Sequence, residues 1–141
     1  MMIDSHCHLD MIAHGDAGLA GTIAAAHDAG VAHMLCVCVT LEKFPDLEAI
    51  AAEYPHISLS VGKHPVEQEG VEPSIDDLIA LAQHDKVVAV GETGLDYYHC
   101  KDDVTWQQQR FIAHIEAAKA ANKPIIVHTR DAREDTIALM Q

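Results

Sequence analysis

The stretch Val31-Ala-His-Met-Leu-Cys-Val-Cys-Val39 decides the fold. Apolar residues fill both of its alternating faces, so as a strand it must be covered on both sides. Strands of that kind belong to parallel sheets, whose neighbours are joined by crossover helices. The flanks read as such helices. Upstream, Ala17–Ala29 is helical and is closed by Gly30, a residue free to take the left-handed turn that ends helices. Downstream, Glu42–Glu53 is helical and stops before Pro55.

The alternation continues in both directions. Met2–His8 reads as a first strand, Ile57–Val61 as a third, Lys86–Val90 as a fourth and Pro124–Val127 as a fifth. Ser74 is placed to cap a helix over Ile75–His84, with Asp76 and Asp77 at its positive end. The longest helix runs from Val104 to Ala121 and carries Phe111, Ile115 and Ala118 along one face. Asp131 is expected to cap a last helix running to Gln141. Five successive βα units imply an α/β protein with a parallel sheet and right-handed crossovers. It is either a doubly wound sheet or a TIM-type βα barrel. A closed barrel takes about 250 residues, so a barrel here is incomplete. Gly91-Glu-Thr-Gly94 lacks the spacing and the lysine of a nucleotide-binding loop.

Composition narrows the function. The 141 residues hold 22 acidic and nine basic side chains, a net charge of −13. With 49% apolar and 22% charged residues, the chain is globular rather than disordered, and is expected to form a single domain. Its acidity argues against gripping nucleic acid with its own cations. If the substrate is a phosphate ester, positive charge must be brought in. Eleven histidines are the one compositional oddity. Cys7, Cys36, Cys38 and Cys100 show neither a disulfide framework nor a C-x-x-C pair. No signal peptide opens the chain and no apolar run reaches the roughly 20 residues of a membrane span, so a reduced, cytoplasmic setting is expected.

The chemistry gathers at the strand ends. The first strand ends in Asp4-Ser-His6-Cys-His8, the third in Gly62-Lys-His64-Pro, the fourth in Gly91-Glu92-Thr-Gly94 and the fifth in His128-Thr-Arg130-Asp131. The C-terminal edge of a parallel sheet is where α/β proteins build their sites. His6 and His8 share one face of an extended strand and span a distance two metal ligands can bridge. Cys7 points the other way and reads as packing. Glu92 follows a wholly apolar strand, where a carboxylate pairs or binds a cation. It can also bridge two cations, which a neutral imidazole cannot. His128 alone would read as a core histidine. Arg130 reads either as a bidentate anion contact or as a partner of Asp131 or Asp135. His64 contacts substrate or stabilises its turn, and Asp4 orients a histidine ligand. His27, His84 and His114 read as solvent-facing helix residues, and Trp106 as core.

These segments resemble the TatD family of metal-dependent deoxyribonucleases. The matching residues are Asp4-Ser-His-Cys-His-Leu-Asp10, Gly62-Lys-His-Pro65, Gly91-Glu-Thr-Gly-Leu-Asp-Tyr97 and Pro124-Ile-Ile-Val-His-Thr-Arg-Asp-Ala132, in the family's order across the whole chain. The resemblance implies a βα barrel with a one- or two-metal site of Zn, Mn or Mg. In it His6 and His8 bind one ion, Glu92 bridges two and takes part in catalysis, and His128 binds the second. Arg130 and His64 would then stabilise the phosphate of a DNA substrate. A further His and a catalytic Asp come from later strands of the family fold, so residues 1–141 correspond to the N-terminal part of the barrel. A small-molecule amidohydrolase is the alternative activity. Another is a catalytically incomplete fragment that self-associates through open strand edges.

Overall fold

The computed structural model describes residues 1–141. Strands β1 (Met2–Cys7), β2 (Val31–Cys36), β3 (Ile57–Val61), β4 (Val87–Asp96) and β5 (Ile125–Arg130) alternate with helices. The helices are α1 (Gly18–Asp28), α2 (Phe44–Glu53), α3 (Ile75–Ala82), α4 (Thr105–Ala121) and α5 (Arg133–Leu139). The strands lie in the order β1-β2-β3-β4-β5, and every neighbouring pair is parallel. That order decides between the two architectures. A doubly wound sheet reverses direction at a switch point. Here each unit adds to the same edge. Right-handed crossovers then stack the helices on one side of a twisting sheet. The result is five successive units of a βα barrel, with β1 and β5 outermost.

The core lies between the inner strands and the helices. Cys36, Val37, Cys38, Ile57, Leu59 and Val61 are fully buried, as two-sided apolar strands require. Leu47 and Ala51 of α2, Leu78 and Ala82 of α3 and Ala117 of α4 close over that side. The cap at α3 is as expected. Ser74 accepts from the Asp77 amide, and the Asp77 carboxylate accepts from the Ser74 amide. No helix of the chain is long and apolar enough to cross a membrane.

Three expectations are corrected. β4 does not stop at Val90 but runs on through both glycines to Asp96. Gly91 has φ +131°, and a Cβ there would sit 2.5 Å from the Ile126 carbonyl oxygen. A Cβ on Gly94 would strike the carbonyl of His128. These glycines let β5 close against β4 rather than ending the strand. Asp131 does not cap α5. It takes a left-handed turn at φ 54°, and Ala132 stands at the cap position without a side-chain bond. Finally, α4 is not apolar along its buried face. Phe111 and Ala118 are buried as expected, but so are Gln107, Arg110 and His114. His114 is therefore not solvent-facing. Trp106 is half-buried and stacks on Arg110, its ring centre 4.8 Å from the guanidinium carbon.

Candidate metal centre

The strand ends place four imidazoles around one carboxylate. Glu92 projects from the middle of β4 and is only 9% exposed. Its Oε2 lies 3.2 Å from His6 Nε2 and 3.8 Å from His8 Nε2, and those two nitrogens are 3.2 Å apart. Its Oε1 lies 3.4 Å from His128 Nδ1 and 3.9 Å from His64 Nε2, which are themselves 3.3 Å apart. Donors about 2.0–2.1 Å from a tetrahedral cation stand about 3.4 Å from one another. Both trios have that spacing, and each is served by a different oxygen of Glu92. The donor set therefore fits one or two divalent ions.

Hydrogen-bond partners fix which nitrogen of each ring offers a lone pair. His8 Nδ1 donates to the Val37 carbonyl at 2.9 Å, so the Nε2 facing Glu92 is the free donor atom. His128 Nε2 donates to Asp96 Oδ2 at 3.0 Å, which frees Nδ1 toward Glu92. His64 is the opposite case. Its Nδ1 accepts from the Val66 amide at 3.3 Å, so the neutral ring carries its hydrogen on Nε2 and presents an N–H to the cluster. Burial keeps that ring neutral by lowering its pKa to about 4, against the pull of Glu92.

Asp96, the last residue of β4, also reaches the site, a role that the sequence does not announce. Glu92, Gly94 and Asp96 alternate along β4, so a strand carried through the glycines puts both carboxylates on one side. Burial works to raise the Asp96 carboxyl. Hydrogen bonds from the His99 amide and ring and from His128 outweigh it and hold the group at about 2. Gln107 of α4 then pins the residue, accepting from the Asp96 amide at 2.8 Å and donating to its carbonyl at 3.2 Å.

Asp4 differs from expectation. Its carboxylate accepts from the His6 backbone amide at 3.1 Å, so it shapes the strand end and leaves the ring alone. Arg130 sits exposed at the end of β5, in register with Asp96. It pairs with neither Asp131 nor Asp135, and its guanidinium carbon lies 4.0 Å from the Tyr98 ring centre. Asp135 instead accepts from the Tyr97 hydroxyl at 2.6 Å. Cys7 turns away from the cluster and donates to the Leu35 carbonyl at 3.4 Å. A cleft of about 240 Å³ reaches Glu92 between His8 and His64, walled by Met11, Val39 and Val66. A larger hollow of about 460 Å³ between α4 and β5 holds no histidine or carboxylate, so donor chemistry rather than volume marks the site.

The model of the TatD related DNase family matches residues 3–141. The uncharacterized metal-dependent hydrolase YcfH of Escherichia coli (strain K12) is 41% identical over 145 residues, covering 99% of this chain and 53% of that protein. The 3'-5' ssDNA/RNA exonuclease TatD of Salmonella typhimurium is 34% identical over 119 residues, covering 84% of this chain and 46% of that protein. The crystal structure of YjjV, a TatD homologue from Escherichia coli K12, superposes with a TM-score of 0.83 at 28% identity, covering 97% of this chain and 54% of that one. The chain spans about half the length of the curated relatives it matches. Motifs, strand order and matched length agree, and the chain belongs to the TatD related DNase family.

Proposed function

We propose that the chain forms the N-terminal part of a βα-barrel, metal-dependent hydrolase that cleaves phosphodiester bonds in DNA. The observation that carries this reading is Glu92 standing between two sets of lone-pair donors, His6 and His8 at one oxygen and His128 at the other. His6 Nε2, His8 Nε2 and Glu92 Oε2 would hold one ion; Glu92 Oε1 and His128 Nδ1 would hold a second. A divalent ion there, Zn, Mn or Mg, would supply an activated water and polarise a phosphoryl oxygen. The residues do the rest. His64, held as a neutral Nε2–H, donates to a phosphoryl oxygen as its charge grows. Arg130 supplies a bidentate grip on a phosphate from the end of β5. Asp96 keeps the hydrogen of His128 on the nitrogen facing away from Glu92. The net charge of −13 supports the reading, because bound cations are what would let so acidic a protein accept a polyanion. The TatD relative, named for single-stranded DNA and RNA, supports a single-stranded substrate. The free thiols of Cys7, Cys36, Cys38 and Cys100 fit a cytoplasmic setting.

The test uses the metal-loaded full protein on a single-stranded oligonucleotide and on a cyclic amide. Cleavage of the oligonucleotide that is lost on chelation supports the proposal. Turnover of the amide alone moves the protein to the amidohydrolase branch.

A further inference from the structure

His64 lies in the β3–α3 connection, residues 62–74, which contains neither helix nor strand. A donor on such a segment keeps its aim only if something outside the segment holds it. Arg110, reaching across from α4, does so. Its Nη1 donates to the His64 carbonyl at 2.8 Å and to the Glu67 carbonyl at 2.7 Å. Its Nε and Nη2 grip the two carboxylate oxygens of Glu72 at 2.7 and 2.5 Å. One turn further along α4, His114 Nε2 accepts from the Lys63 amide at 3.0 Å. Two residues of one helix thus fix the connection before, at and after His64.

Stability does not explain this use of charge. Arg110 is 4% exposed and Lys63 1%, and Glu72 is the single carboxylate pairing with both. Burying cations is costly, and apolar replacements of such groups are often neutral or stabilising. What a guanidinium adds is a rigid fork that meets three points at once, which an ammonium cannot reproduce. Trp106 covers the fork with its ring.

We propose that Arg110 is a positioning residue for hydrolysis: its fork fixes the His64 main chain and so aims His64 Nε2 at the reacting phosphate. The inference rests on the reading of His64 as a phosphate donor. Neither residue holds metal on that reading, so their loss leaves the bound ions in place.

The test is a double-mutant cycle in the metal-loaded full protein, with bis(p-nitrophenyl) phosphate as substrate. Arg110→Met should lower kcat by about 10- to 100-fold, because a reacting group misplaced by about 1 Å can cost about 100-fold. Metal content per chain by elemental analysis should be unchanged. His64→Ala should lower kcat similarly, and the double variant should be no slower than His64→Ala. Arg110→Lys should stay slow. Should Arg110→Met fail to fold, Glu72→Gln on the exposed side of the fork replaces it, with a smaller loss that also vanishes in the His64→Ala background. Losses that multiply in the double variant overturn the proposal, as does full rescue by lysine. So does wild-type turnover in Arg110→Met beside a slow His64→Ala, and that pair leaves the donor reading intact. Wild-type turnover in His64→Ala overturns the donor reading itself, and the role of Arg110 with it.

Discussion

Asp96 takes the Nε2 hydrogen of His128 at 3.0 Å and thereby leaves His128 Nδ1 bare, 3.4 Å from Glu92. A carboxylate behind a histidine in this way sets its tautomer and raises its strength as a donor. Asp96→Asn keeps the size of the side chain and removes the charge. It should weaken binding of the second divalent ion by about 10- to 100-fold. Calorimetric titration with Mn²⁺ should then show one step preserved and one weakened.

Glu92→Gln removes the charge facing both trios. Bound metal and phosphodiester cleavage should both be lost, whereas Cys7→Ala should leave both largely intact, since its thiol points to Leu35. Elemental analysis of the two purified variants decides. Full metal content in the glutamine variant would refute the bridging role.

Gln107→Leu should cost stability without touching a donor atom. The substitution leaves the buried Asp96 amide and carbonyl without their partner. An unpaired buried polar group costs about 1–3 kcal/mol, so chemical denaturation should show a loss of that order.

His114 makes stability depend on pH. Burial lowers its pKa to about 4, below the unfolded value of about 6.5. As pH falls through about 6.5, the unfolded chain takes up a proton that the folded one refuses. The contribution is complete above that pH and is lost progressively down to about 4, on the order of 3 kcal/mol in all. His114→Gln can still accept from Lys63 and donate to the Arg110 carbonyl, so it should flatten this slope at modest cost near neutrality. Urea midpoints measured across the acid range would reveal an unchanged slope if the assignment is wrong.

A polypeptide of residues 1–141 alone should self-associate. β1 and β5 have one partner each in the sheet, and Met2 and Ile3 of β1 are 58% and 62% exposed. Unpaired edges with apolar side chains invite pairing between chains. Light scattering should report species larger than 15.3 kDa, and a monodisperse monomer would contradict this.

The strands were legible in the sequence because two-sided burial leaves unbroken apolar runs, whereas the ends of β4 and β5 lie beyond those runs, at Asp96 and Arg130. His6, His8, Glu92 and His128 could be named because strand ends in a parallel sheet share one edge. The strand order, which chooses the barrel, is not encoded locally. Asp96 was missed because Gly91 and Gly94 look like a strand terminus; only their contact with β5 shows why the strand continues. The buried face of α4 was misread for a related reason. Gln107, Arg110 and His114 have the polarity of a wet helix face, and their partners are backbone groups of distant loops that no periodicity announces.

The single carboxylate between the two histidine pairs has a consequence for loading. Its negative charge is one unit, divided over two oxygens that face different histidine pairs. An ion seated on one side would withdraw electron density from the other and repel the next arrival across a few ångströms. Two such occupancies would therefore be antagonistic. On the reading proposed here, a chelator strips the pair in two unequal stages, and the last ion to leave is held more tightly than it was in company.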